Sequence, residues 1–164
     1  MTGVLRDSSA MPRVSELPVE HLFDMHVDLE PAQLIPTAVG TRMTYVVTGA
    51  QIAGPKLTGK LLPGGGDWVC VGTDAVGRAD IRATIRTSDG VLIHHHALGI
   101  ASVPAESLAR LGAGEALRFA DAYVRMTPRF ETSDERYAWL SSAVCVSYAA
   151  LGPNYIDYRI YKVL

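Results

Sequence analysis

Arg78-Ala79-Asp80-Ile81-Arg82-Ala83-Thr84-Ile85-Arg86 carries an apolar residue at every second position and a polar one between. A period of two is the mark of a β-strand with one buried face. Ser88-Asp89-Gly90 follows, and Asp-Gly accepts the positive φ of a hairpin turn, so residues 91–100 are expected to return as the partner strand. Upstream, residues 21–30 alternate in the same way, with Phe23, Met25, Val27 and Leu29 apolar and Asp24, His26, Asp28 and Glu30 polar. Residues 42–52 read as a second strand, ended by Gly54-Pro55, and 56–61 as a short third. Pro63-Gly64-Gly65-Gly66-Asp67 reads as a tight turn leading into a strand over 68–72. Downstream, strands are expected over 122–127, 139–149 and 155–164. One short helix fits residues 104–112, with Pro104 at its start and Gly112 at its end. Thr132-Ser133-Asp134-Glu135 has capping-box spacing for a helical turn.

Eight to nine short strands joined by turns predict a mostly β protein, a single antiparallel β-barrel with one short helix. Between a barrel and a sandwich, closure favours the barrel, because a closed sheet removes edges that would template aggregation. The expected organisation is a flexible tail over residues 1–18 and one barrel domain over 19–164. The alternation leaves two face assignments open. Either the apolar rows point inward and Arg78, Asp80, Arg82 and Arg86 form a solvated face with cross-strand pairs, or the polar row lines the lumen and the apolar rows are covered from outside.

With 164 residues, 48% hydrophobic and 20% charged, the chain has the composition of one folded domain and not of a disordered one. Fifteen Lys and Arg against 17 Asp and Glu leave a net charge of −2, which argues against a nucleic-acid partner. The longest apolar stretches are too short for a membrane helix, and residues 1–18 lack the apolar core of a secretory signal, so a cytoplasmic protein with no membrane partner is expected. Cys70 and Cys145 lie within apolar-alternating runs and read as small packed hydrophobes.

Several short motifs stand in a fixed order: Gly40-Thr41-Arg42, Gly54-Pro55-Lys56-Leu57-Thr58-Gly59, Leu62-Pro63-Gly64-Gly65-Gly66-Asp67-Trp68, Thr87-Ser88-Asp89-Gly90, Phe130-Glu131-Thr132 and Arg136-Tyr137-Ala138-Trp139-Leu140. Together they resemble the domain-of-unknown-function 3237 family over roughly residues 17–164. The resemblance implies a single-domain, mostly antiparallel β-barrel and marks the motif residues as the candidate site. It names no reaction.

The motifs supply Arg42, Asp67, Trp68, Asp80, Arg82, Glu131, Tyr137 and Trp139, the mix of polar and apolar groups that a small-molecule site needs. Asp67 and Glu131 stand beside Trp68 and Phe130, and desolvation by such neighbours raises a carboxyl pKa toward the range useful for proton transfer. Arg42 and Arg82 carry planar forks suited to a carboxylate, an enolate or a polarised carbonyl. Tyr137 would donate a hydrogen bond, and Trp68, Asp80 and Trp139 would contact the substrate. Each residue also has a plain structural role open to it: Asp67 as the lock of its glycine turn, Asp80 with Arg82 as a strand-face pair, Glu131 in a loop and the Trp residues in the core.

Gly64-Gly65-Gly66 lacks the Lys-Ser/Thr of a phosphate loop and opens a strand. His94 and His96 share a strand face and could chelate a metal, with His95 pointing away, but no third ligand stands at suitable spacing. No metal or cofactor is therefore expected. The reading that results is a barrel binding a small molecule, acting as a cofactor-independent acid/base enzyme (isomerase, lyase, dehydratase or cyclase) on a partly hydrophobic carbonyl or aromatic compound. The alternative is a non-catalytic ligand-binding barrel. Apolar residues on the exposed faces make a homo-oligomer a further expectation.

Overall fold

The structure is a computed structural model and describes residues 14–164, so most of the expected tail over 1–18 lies outside the described residues. Ten strands form one sheet: β1 (Val19–Leu29), β2 (Gln33–Thr37), β3 (Gly40–Ala53), β4 (Gly59–Leu61), β5 (Gly66–Gly72), β6 (Val76–Thr87), β7 (Leu92–Ser102), β8 (Tyr123–Glu131), β9 (Cys145–Gly152) and β10 (Tyr155–Val163). Antiparallel neighbours run β1-β10-β9-β8-β7-β6-β5-β3, and β3 pairs back onto β1 through Asp24–Leu29, which closes an eight-stranded barrel. β2 and β4 are additional, β2 pairing with the start of β3 on the edge that β1 takes further along. Helix α1 (Ala105–Gly112) connects β7 to β8, with Pro104 at its N-cap.

The alternation of β6 settles which face points inward. Ala79, Ile81, Ala83 and Ile85 are buried, whereas Arg78, Arg82 and Arg86 are exposed. The barrel is therefore filled by its apolar rows. Phe23, Met25, Val27 and Leu29 of β1, Ile93 and Ala97 of β7, and Val124, Met126 and Phe130 of β8 complete one core. The outward polar row makes ion pairs, Arg82 with Asp80 and Arg78 with Asp74.

Three local expectations need correction. Pro63-Gly64-Gly65 is not a reversal of the chain: β4 and β5 both pair with β3 on one side and β6 on the other. Leu61 stands opposite Ile85 and Asp67 opposite Ile81, so six steps along this stave pass only four along β6. The glycine segment is a bulge inside one stave, with Gly64 at φ +99°, and the main chain keeps both neighbours through Leu62 N–H to the Thr84 carbonyl and Val47 N–H to the Gly65 carbonyl. Second, β9 begins at Cys145 and not at Trp139, because residues 138–142 close a 3-10 turn that buries Leu140. Third, the helical turn expected from Thr132 starts at Asp134, whose carbonyl receives the N–H groups of Tyr137 and Ala138.

Gly40 closes the β2–β3 hairpin at φ +138°, and a Cβ there would overlap the Val71 carbonyl of β5. Gly40→Ala is expected to lower stability by about 2 kcal/mol or more, read as a fall in the urea midpoint, from backbone strain added to a clash with main chain.

Candidate functional site

An inward-facing residue of this barrel is surrounded by Ile, Val, Leu and Met, so any polar group in an inward row is dehydrated. Two such groups stand out. Asp67, just after the bulge, is 6% exposed, and its Oδ1 has no hydrogen-bond partner. His95 of β7 is 3% exposed, and its Nδ1 is likewise unpartnered. Both line one cavity inside the barrel with Met25, Val47, Ala97, Met126, Ser147 and Tyr158. The cavity measures about 20 Å³, room for about one water.

Burial pushes the Asp67 carboxyl up to about 7; the Asp80 main-chain N–H acts the other way, and the Asp80 carboxylate adds to the rise. Burial pushes His95 down to about 4, with His94 and His96 contributing, so its imidazole is neutral at neutral pH. The His95 ring stacks on Phe130, centroids 5.1 Å apart. Two phenols belong to the same polar island. Tyr45 stands directly across the β3–β5 ladder from Asp67, and Tyr158 enters from β10. Both are raised above the ordinary tyrosine value, first by burial and then by the Asp67 charge. The arrangement places a carboxyl that ionises near neutrality, the protonated Tyr158 phenol and a neutral imidazole on one apolar chamber, with the Tyr45 phenol across the ladder from the carboxyl. Such a set can take up, deliver and orient protons.

Of the eight candidate site residues, only Asp67 lines this chamber. Arg42 is exposed on β3, opposite Ile35 and Cys70. Asp80 and Arg82 pair on the outside of β6, and His96 Nε2 lies 3.1 Å from Asp80. Trp68 is 44% exposed, because it follows the inward Asp67 by one residue. Glu131 is exposed at the end of β8, opposite His94. Trp139 is half-buried in the 3-10 turn against the core. Tyr137 donates its hydroxyl hydrogen to Asp89, 3.1 Å away, and Arg136 pairs with the other oxygen of Asp89 at 2.7 Å. Two of the sequence motifs thus meet: the β6–β7 hairpin is fastened to the segment between β8 and β9. Among the described residues no group of three or more His, Cys, Asp or Glu is arranged to hold a metal.

Sequence reasoning passed over Tyr45, Ser147 and Tyr158, and took His95 only as the histidine that points away. The available signal was parity. His95 falls in register with Ile93 and Ala97, and Asp67 with Val69, so each is a polar residue within an apolar row.

The fold and the chamber define a class: closed antiparallel β-barrels with an apolar lumen that holds a few buried polar groups. Among the described residues no helix is long and apolar enough to cross a membrane. The chain belongs to the family described as protein of unknown function DUF3237, whose sequence pattern matches residues 17–163. A UPF0311 protein of Clostridium acetobutylicum is 29% identical over 152 residues, covering 92% of this chain and 96% of that protein. A crystal structure of a protein of unknown function from Clostridium acetobutylicum superposes with a TM-score of 0.81 at 28% identity, covering 93% of this chain and all of that one. An enzyme from Penicillium herquei shares the fold with a TM-score of 0.68 at 23% identity, covering 93% of this chain and 98% of that one.

Proposed function

We propose that this barrel is an acid/base enzyme that moves a proton within a small, neutral, partly hydrophobic carbonyl or aromatic compound, as an isomerase, lyase, dehydratase or cyclase does. The observation that carries the reading is the buried Asp67 carboxyl, whose Oδ1 has no hydrogen-bond partner and whose pKa is brought to about 7 by its surroundings. An unsatisfied buried carboxyl destabilises a fold, and such groups concentrate where chemistry needs them. Near neutral pH Asp67 is divided between acid and base forms, so it can accept a proton from one substrate atom and return it to another. The Tyr45 or Tyr158 phenol would donate a hydrogen bond to the oxygen on which negative charge develops. Among the described residues no Arg or Lys lines the chamber, which favours a neutral ligand over an anionic one. Arg42 and Arg82, on the outer face, do not take part in this reading. Since the chamber has room for about one water, a substrate displaces flexible side chains, with Met25 and Met126 the most adaptable of the lining. The same barrel carries an enzyme in Penicillium herquei, so the fold is compatible with catalysis.

Incubation with small aryl ketones in D₂O, followed by proton NMR, tests the reading. The expected result is protein-dependent exchange at the carbon beside the carbonyl, inflecting near pH 7. Asp67→Asn should lower it by about a hundred-fold or more while ligand binding persists. Ketones that bind equally to both proteins with no exchange by either would make this a non-catalytic binding barrel.

A further inference from the structure

The outer wall of β7, β8 and β9 carries a feature that the lumen chemistry does not use. β8 and β9 pair through only two positions, Arg125 with Tyr148 and Met126 with Ser147. A groove of about 650 Å³ lies over this seam, lined among others by Leu98, Ile100, Tyr123, Arg125 and Tyr148. That volume is in the range of sites for drug-sized ligands. Leu98, Ile100 and Tyr123 are 52%, 41% and 55% exposed, so the groove presents apolar surface to solvent.

Arg125 lines it, set against three aromatic rings. The guanidinium carbon lies 4.4 Å from the Phe119 ring centroid, 4.7 Å from Tyr123 and 4.8 Å from Tyr148. Stacked rings fix the plane of the guanidinium and strip water from its faces, while its edges stay free to donate. One N–H goes to the Val124 carbonyl at 2.9 Å. No carboxylate among the described residues pairs with Arg125, in contrast to Arg78, Arg82, Arg136 and Arg159. Arg78, at the rim, already gives two hydrogen bonds to Asp74. The groove therefore holds one pre-oriented, uncompensated cation bordered by aromatic and aliphatic surface.

We infer that this groove is a second ligand site, outside the barrel, for a flat apolar monoanion such as an aryl carboxylate. The carboxylate meets the Arg125 fork edge-on, and the ring lies on Tyr123, Tyr148, Leu98 and Ile100. Its preference for an anion is the reverse of the lumen's.

Calorimetric titration with 2-naphthoate and with the neutral 2-naphthalenemethanol tests the site. The wild type should bind the acid at least about ten-fold more tightly than the alcohol. Arg125→Gln should remove that preference, and Asp67→Asn should leave it intact. Ile100→Glu, a change at an exposed position, should abolish acid binding and keeps the test decisive if Arg125→Gln unfolds. Equal binding of acid and alcohol, no binding at about 5 mM, or an Arg125→Gln protein that keeps the preference would overturn the proposal. A dimer in light scattering that Ile100→Glu dissociates would overturn it too, by assigning the groove to a second copy of the chain.

Discussion

Asp67→Asn is expected to stabilise the protein at pH 8, although it removes a native group from the centre of the barrel. In the folded state the Asp67 carboxyl ionises near 7, against 3.8 for the ordinary group. Its pKa is raised by folding, so its contribution to stability is complete below about 3.8 and is lost as pH rises through about 7. A displacement of about three units corresponds to roughly 4 kcal/mol, which Asn, being neutral throughout, does not lose. His95 works in the opposite sense. Its pKa is lowered from 6.5 to about 4, so its contribution is complete above 6.5 and is lost as pH falls through about 4. Between pH 4 and 6.5 the two slopes oppose each other in the wild type. Urea unfolding of Asp67→Asn should therefore expose the His95 contribution, a loss of roughly 3 kcal/mol on acidification from pH 6.5 to 4, offset in part by His26, whose pKa is raised by its hydrogen bond with Asp157. A variant whose midpoint follows the wild type at every pH would show that Asp67 is hydrated, and would remove the basis of the acid/base reading as well.

Phe130→Ala is the substitution expected to weaken the fold most. The ring is 2% exposed, meets the edge of Phe23 with centroids 5.7 Å apart, and covers the face of His95. Its removal takes away one of the largest buried side chains and leaves a cavity in a barrel that cannot readily collapse, a loss of about 3–5 kcal/mol. The urea midpoint should fall at an unchanged slope. The vacated space also admits water to His95, so the imidazole pKa should rise toward its ordinary value, visible in an NMR titration. A stable Phe130→Ala protein with His95 still depressed would mean that neighbouring strands close over the gap.

The sequence by itself determined the class of fold and the strands that compose it. Alternation along Arg78–Arg86 and along 21–30 fixes strands with one apolar face, and the Asp89-Gly90 pair fixes the hairpin that joins β6 to β7. Those signals are local, carried by neighbours in the chain. They also hold most of the site in latent form, since a polar residue in an apolar row, Asp67 or His95, must be buried once the row faces inward. The tertiary structure alone decided the direction of the rows, because period two is the same whichever face points in. It turned Arg42, Asp80, Arg82 and Glu131 outward and left Asp67 inside. It also showed that the glycine segment bulges within a stave, a distinction set by pairing with β3 and β6 across long stretches of sequence. Tyr45, His95 and Tyr158 come from three separate strands: β3–β5 pairing sets Tyr45 across from Asp67, and the curling of the sheet into a ring brings His95 and Tyr158 to the same chamber. Ring closure is a property of strand order, and strand order is written in contacts between distant residues, not in the pattern of any one strand.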